Sequence, residues 1–219
     1  MHRITSLLAL SCLIFVLASS PAQAATPVVQ DQQNGMSLLL SQAEAGDIEA
    51  CYQVALEYAT RSKPSFEQAT LWGKKAALAG HVGAQFLVGF LYGASDRQRA
   101  IVWTKLAADR GSARAQSALS VHYTEIDKAQ AAKWLILADR AGDRDVAFWL
   151  EWGLPNLSQK DRQKAIELAR AWKPVCPDNC KTFIVEKCGI CPLTDEERRV
   201  VNTLPLPLGH YLFGGDSSR

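Results

Sequence analysis

The sequence has 219 residues, of which 24 are Lys or Arg and 22 are Asp or Glu, for a formal net charge of +2. A charge this close to zero excludes an overall electrostatic attraction to nucleic acid, so no nucleic-acid partner is predicted. The length suffices for one domain with a core or for one short array of repeats.

The first residues have the pattern of a secretory signal peptide. Arg3 supplies the positive charge before the apolar run ITSLLALSCLIFVLA, which is too short for a comfortable membrane span. Ala22 and Ala24 are the small residues of a cleavage site, so residues 1–24 are predicted to be removed after Ala24. Lipidation at Cys12 and a retained anchor are the alternatives. We expect a periplasmic or secreted protein with no membrane span after cleavage.

From residue 46 onward the sequence repeats itself. Glycines recur at Gly46, Gly80, Gly111 and Gly142. Counted from each glycine, the other recurring residues are an alanine (Ala50, Ala84, Ala115), a tyrosine (Tyr58, Tyr92, Tyr123), a second alanine (Ala69, Ala100, Ala131) and a tryptophan (Trp72, Trp103, Trp134). Agreement at this many positions indicates three units, residues 46–79, 80–110 and 111–141.

Each unit predicts two helices joined by short turns. The polar residues that can cap these helices are Asp47, Ser65, Asp96, Ser112, Asp127 and Ser158. Ser65 is followed three residues later by Gln68, which predicts a capping box. Each glycine falls where a helix ends and a left-handed residue is needed. Because one hairpin cannot bury its own apolar face, stacking is expected to supply the core, with a tryptophan in each joint.

These residues resemble the Sel-1-like repeat, a relative of the tetratricopeptide repeat. The second unit matches that family's pattern most fully, with Ala84-Gln85, Val88-Gly89, Tyr92, Ala100, Trp103, Ala107-Ala108 and Gly111. The resemblance implies an all-α fold, a right-handed α-solenoid of helical hairpins. Residues 25–35 are expected to be a linker, 36–45 an N-terminal capping helix, and 142–173 a degenerate capping hairpin.

After residue 173 the chain changes character, and residues 174–219 are expected to form a small irregular, cysteine-rich extension. Four cysteines lie close together in it: Cys176, Cys180, Cys188 and Cys191. In an exported protein they predict two disulfides of open connectivity. A four-thiolate zinc site and a redox dithiol at Cys188 and Cys191 are the alternatives. Cys51 is expected to be a buried free cysteine, with pairing to another molecule as the alternative.

Three common catalytic or phosphate-binding motifs are missing from the chain: His-Glu-x-x-His, Gly-x-Ser-x-Gly and Gly-x-x-x-x-Gly-Lys. We therefore predict that the protein is not an enzyme and has no metal and no cofactor. His81, His122 and His210 are expected to be polar surface residues or hydrogen-bonded core residues.

The family resemblance implies a non-catalytic protein–protein interaction module or scaffold. Its first helices are expected to line a concave face that holds another protein or peptide. The side chains expected to contact the partner are Glu49, Gln53, Glu57, Gln85, Gln116 and His122. A periplasmic immunity protein against a secreted toxin is an alternative, as is a thiol oxidoreductase or zinc-dependent protein that uses the C-terminal cysteines. The oligomeric state stays open.

Overall fold

A computed structural model describes residues 27–175 and 190–203, with side chains described from residue 35 onward. The predicted signal peptide, the cysteines at 176, 180 and 188, and residues 204–219 lie outside the described residues. The chain divides into two compact units, Met1–Gly35 and Met36–Arg219. Of the first unit only residues 27–35 are described, and they belong to a helix.

The described residues form ten α-helices and one 3-10 helix. After α1 (Pro27–Glu44) come three hairpins: α2 (Ile48–Thr60) with α3 (Phe66–Leu78), α4 (Val82–Tyr92) with α5 (Arg97–Asp109), and α6 (Ala113–Tyr123) with α7 (Lys128–Arg140). The 3-10 helix (Arg144–Val146), α8 (Ala147–Gly153), α9 (Gln159–Ala171) and α10 (Asp195–Thr203) follow. Successive hairpins pack through α3 on α4 and α5 on α6, which confirms the all-α solenoid. No described helix is long and apolar enough to cross a membrane.

The helix ends follow the predicted signals, with one exception. All four repeat glycines have φ between +88° and +99°, in the left-handed region. The side chains of Asp47, Asp96, Ser112, Asp127 and Ser158 accept backbone N–H groups of the first helical turns. The capping box at Ser65 is wrong, since its side chain makes no cap hydrogen bond. Its backbone N–H donates instead to the Tyr58 carbonyl at 2.9 Å.

The repeated tryptophans fill the joints between hairpins, as predicted. Trp72, Trp103 and Trp134 are 7%, 1% and 1% exposed. Trp103 belongs to a core cluster that reaches back to α1 and α2, whereas Trp134 belongs to a second cluster with Ala169 of α9. Small alanines beside them let the helices approach closely, so large and small residues alternate through the core.

Two expected boundaries are wrong. The described part of the expected linker, residues 27–35, is helical. The capping helix predicted for 36–45 is therefore the second half of a longer helix that ends at Glu44.

Residues 142–173 cap the array, but they do not form the predicted hairpin. Helix α9 packs extensively on α7, whereas α8 packs much less on α7 and does not pack along α9. Helix α9 buries Ala165 and Ala169, and Trp172 stands edge-on to Trp134 with ring centroids 6.5 Å apart. Helix α8 has seven residues and buries none of them, so the longer α9 supplies the apolar surface that covers α7.

The C-terminal extension, expected to be irregular, contains the helix α10. Its start is a capping box between Thr194 and Glu197. The Thr194 N–H donates to Glu197 Oε2 at 2.8 Å, and the Glu197 N–H donates to Thr194 Oγ1 at 3.2 Å. The two bonds satisfy donors that have no partner within the helix, which is why a helix begins here.

Candidate functional site

Three of the predicted contact residues lie on one side of α2, where the side chains are accessible. Glu49, Gln53 and Glu57 follow each other at intervals of four, which places them along one helix face. The side chain of Glu49 is 61% exposed and Glu57 is exposed, while Gln53 is half-buried. Among the described residues, this side of the first repeat is therefore accessible.

Gln85 and Gln116 were wrongly predicted to contact a partner, since both side chains are 0% exposed. Gln85 Nε2 donates to the Ala77 carbonyl at 3.3 Å, and Gln116 Nε2 donates to the Ala108 carbonyl at 3.1 Å. These carbonyls belong to the last turns of α3 and α5, where they also accept the backbone N–H groups of Gly80 and Gly111 at 3.0 Å. The repeated glutamine therefore joins the end of each second helix to the next first helix.

His122 is half-buried at the end of α6, where it is only partly available to a partner. Its backbone carbonyl accepts a hydrogen bond from Arg97 Nη2 at 2.8 Å. Burial, and then the nearby Arg97 charge, lower the pKa of the His122 imidazole, so this ring is neutral at pH 7. Any contribution of His122 to binding is therefore that of a neutral polar group.

Glu49 belongs to a small polar cluster with His81 and Tyr52. His81 caps α4: its Nδ1 accepts the Ala84 N–H at 3.0 Å, so the ring hydrogen lies on Nε2. That Nε2 is 3.0 Å from Glu49 Oε2 and donates to it, while Gln53 Nε2 donates to Glu49 Oε1 at 2.7 Å. Tyr52 stacks on His81 with ring centroids 4.3 Å apart. The cluster fixes the Glu49 carboxylate on the surface, and His81 is the hydrogen-bonded core residue that was predicted.

The hydrogen bonds also fix the charge of this cluster. The bond from Gln53 is the largest influence on Glu49; with the bond from His81 it holds the pKa of the carboxyl below its usual range, against partial burial that raises it. Burial and the Glu49 charge raise the pKa of the Tyr52 phenol. At neutral pH the cluster therefore presents one carboxylate and an uncharged phenol.

A recurring apolar position was missed by the sequence reasoning. Ten residues after each repeat glycine stand Leu56, Phe90, Val121 and Trp152. Leu56 is half-buried, but Phe90 and Val121 are 71% and 70% exposed. Isolated exposed apolar residues are ordinary, whereas the same exposed position in successive repeats is not explained by the core. Counting from the glycines would have found it.

We call the accessible side of α2, α4 and α6 the first-helix face. Its members are the exposed or half-buried side chains Glu49, Gln53, Leu56, Glu57, Phe86, Phe90, Arg114 and Val121. Trp152 holds the equivalent sequence position in the last repeat, but α8 does not pack as a first helix, so it is not included. The face combines large apolar groups with charges of both signs.

A second feature is the attachment of residues 190–203 to the turns between repeats. The Cys191 N–H donates to the Gly80 carbonyl at 2.8 Å. Arg110, whose side chain is fully buried, uses every N–H of its guanidinium: it donates to the carbonyls of Leu106, Cys191 and Pro192 and, with two bonds of 2.9 and 2.7 Å, to Glu197. The segment is thus fixed to the repeats at Gly80 and Arg110.

The cysteine and metal predictions are tested only in part. Cys51 is 4% exposed, its thiol lies 3.5 Å from the Ala43 carbonyl, and burial raises its pKa, which confirms a buried cysteine. Within residues 27–175 and 190–203 no three His, Cys, Asp or Glu side chains form a metal site. Because Cys176, Cys180 and Cys188 lie outside the described residues, the disulfides and the zinc alternative stay predictions.

Comparison with known proteins identifies the family to which this chain belongs. A search of curated proteins finds no significant match. The structure is similar to the crystal structure of c5321, described as a protective antigen present in uropathogenic Escherichia coli strains displaying an SLR fold, with a TM-score of 0.58 and 23% sequence identity. The match covers 80% of this chain and 36% of that chain, so it shows a shared fold. The family model of the Sel1 repeat matches residues 48–81, 82–112, 114–143 and 144–172. Because these matches span more than half of its length, the chain belongs to the Sel1 repeat family.

Proposed function

We propose that this protein is a non-catalytic interaction module that binds another protein through the first-helix face. Sel1 repeats generally form protein-interaction modules. The observation that supports this particular face is the exposed apolar side chain at the same position of successive first helices, Phe90 at 71% and Val121 at 70% exposure. Such a row has no role in the core of this chain and suits a complementary surface on a partner.

The size of these groups makes the proposal energetically reasonable. Covering an exposed Phe or Val side chain removes apolar surface from water and contributes about 1.5–3 kcal/mol for a large side chain that becomes fully buried. Aromatic residues near the centre of an interface also carry a large share of its binding energy. Phe90, flanked one helical turn earlier by Phe86, is therefore the expected centre of the contact.

The second helices do not offer a comparable row. Phe66 and Leu71 of α3 are 58% and 51% exposed, but Leu71, which precedes Trp72, is replaced by the half-buried Val102 before Trp103. In the third repeat a lysine stands at that place. Leu71 is thus an exposed apolar residue without counterparts, which makes it a matched control for Phe90.

Site-specific photocrosslinking tests the proposal. A photoreactive phenylalanine analogue is placed at position 90, 121 or 71 of the full chain, and the cells that produce it are irradiated. We expect a discrete protein adduct from positions 90 and 121 and none from position 71. An equal yield from position 71, or no adduct at 90 and 121, would contradict binding through the first-helix face.

We also propose that the protein acts after export. The support is the charged, apolar and small-residue pattern of residues 1–24. Mass spectrometry of the intact protein purified from cells is expected to show a first residue at Ala25. A chain that retains residues 1–24 would contradict cleavage at this point.

A further inference from the structure

We propose, building on the proposed function, that the partner of the first-helix face is a peptide segment in which a bulky apolar residue covers Phe90 and a nearby lysine or arginine pairs with Glu49. Three properties of the face lead to this partner: the distribution of charge, the fixed position of Glu49, and the distance between Glu49 and the apolar row.

Charge is distributed unevenly over the first helices. Residues 36–60 contain four acidic residues, all exposed, and no Lys or Arg; they are Glu44, Asp47, Glu49 and Glu57. Helix α4, which carries Phe90, has no charged side chain. On α6 the exposed charge is positive, from Arg114. A partner over Phe90 therefore meets a negative field on the α2 side, and complementary charge there favours its correct orientation.

Among the acidic residues of the first helices, Glu49 has a carboxylate that is both held in place and exposed to a cation of the partner. Each of its carboxylate oxygens already accepts one hydrogen bond, from Gln53 at 2.7 Å and from His81 at 3.0 Å, yet the side chain stays 61% exposed. An exposed ion pair is usually weak, because two mobile side chains must be ordered to form it. Here one partner is already ordered, which lowers that cost.

Glu49 has no lysine or arginine partner within the described part of the chain. No Lys or Arg of residues 35–175 or 190–203 forms an ion pair with it. His81 contributes a hydrogen bond through Nε2, while its Nδ1 accepts the Ala84 N–H at 3.0 Å. The carboxylate therefore has both its charge and free lone pairs available for an external ammonium or guanidinium group.

The helix geometry gives the spacing in the partner. Glu49 precedes Leu56 by seven residues, about 10 Å along α2, and neighbouring helices pack about 9 Å apart, so Glu49 and Phe90 are separated by roughly 14 Å. An extended chain covers about 3.3 Å per residue. The cationic residue is therefore expected about four residues from the apolar residue that covers Phe90.

Selection from a displayed library of random 12-residue peptides tests this inference. The full-length protein is the bait, and the peptides recovered are synthesised and titrated against three variants. Phe90→Glu removes the apolar contact, Glu49→Gln removes the charge and keeps an oxygen that accepts from His81, and Glu67→Gln removes an exposed charge on α3 as the matched control.

We expect recovered peptides that combine a bulky apolar residue with Lys or Arg about four positions away. Glu49→Gln should weaken their binding about threefold to fivefold at low salt and less at high salt, since salt screens exposed charges. Glu67→Gln should leave the affinity unchanged. Urea denaturation of each variant confirms that the fold is retained.

The possible failures are distinguishable. Peptides that need Phe90 but show no cationic preference and bind Glu49→Gln normally would overturn this inference and leave the proposed function standing. Peptides that bind Phe90→Glu normally, or a library that yields none, would overturn the proposed function as well. Self-association that disappears in Phe90→Glu, measured by sedimentation, would assign the face to a second copy of the chain and overturn the peptide partner.

Discussion

Replacing Gly80 by alanine tests how residues 190–203 are attached to the repeats. The alanine Cβ would lie 2.5 Å from the Cys191 carbonyl oxygen, 2.6 Å from its carbonyl carbon and 2.8 Å from Pro192 N. All three are backbone atoms, so no side-chain rotation relieves the overlap. Residues 191 and 192 must move, which breaks the bond from the Cys191 N–H to the Gly80 carbonyl and strains the bonds from Arg110.

Gly142 supplies a matched control. Its φ of +92° is close to the +99° of Gly80, but a Cβ at Gly142 would meet nothing within 4 Å. In both variants the alanine must adopt a left-handed backbone conformation, which lowers the free energy of unfolding by about 1–2 kcal/mol. Only Gly80→Ala also forces overpacking. Overpacking lowers the free energy of unfolding by a further 1–3 kcal/mol, so we take about 2 kcal/mol as the expected difference.

Urea unfolding followed by tryptophan fluorescence measures the difference between the two variants. We expect Gly80→Ala to lower the free energy of unfolding by about 2 kcal/mol more than Gly142→Ala does. Hydrogen exchange supplies a local test, because the amides of α10 should exchange faster in Gly80→Ala alone. Equal loss of stability and unchanged exchange in α10 would refute the attachment of residues 190–203 at Gly80.

Two further predictions concern the core. Glu197→Gln removes the charge that faces the buried Arg110 and should cost about 3 kcal/mol at pH 7. Burial raises the pKa of Glu197, but the hydrogen bonds from Arg110 and Thr194 outweigh it and leave the pKa low; the wild type therefore keeps this stabilisation above about pH 4.3 and loses it as pH falls further. Urea unfolding at pH 7 and pH 3 should show the difference from the variant shrinking, and a constant difference would contradict the ion pair. Trp103→Ala, at a side chain 1% exposed, should cost about 4 kcal/mol, whereas Trp152→Ala, at one 60% exposed, should change stability by less than about 0.5 kcal/mol. Thermal denaturation compares them, and similar losses would argue against the joint assigned to Trp103.

The repeat itself could be predicted because its signals are local. Glycine at Gly46 or Gly111 marks a left-handed helix end, and an aspartate such as Asp96 marks a helix start, whatever the rest of the chain does. Trp103 recurs at a fixed distance from both signals, so its place in a joint follows from the period.

The wrong or missing predictions concern side chains whose burial or pairing depends on residues far away in the sequence. A repeated glutamine such as Gln85 suggests a surface position. Its side chain is buried instead, because its Nε2 donates a hydrogen bond to the carbonyl of Ala77 at the end of the preceding helix. Arg110 and Glu197 are far apart in sequence, so no local sequence pattern predicts their ion pair. The capping box that starts α10 was readable in the sequence and was overlooked.

Part of the candidate site could be predicted, and the part that was missed is apolar. Glu49 was identified as a polar residue at an accessible position of a first helix, which the structure confirms. Phe90 and Val121 were passed over because an apolar residue on an amphipathic helix is normally assigned to the core. Only the packing of α4 and α6 shows that these two side chains face outward.

Isothermal titration of a partner segment, obtained by crosslinking or from the displayed library, tests the central claim most directly. The segment is titrated against the wild-type protein, Phe90→Glu and Leu71→Glu, two variants that each place a charge at an exposed apolar position. Binding through the first-helix face predicts at least about tenfold weaker binding to Phe90→Glu and an affinity within about twofold of wild type for Leu71→Glu. Equal affinities for the two variants would contradict it.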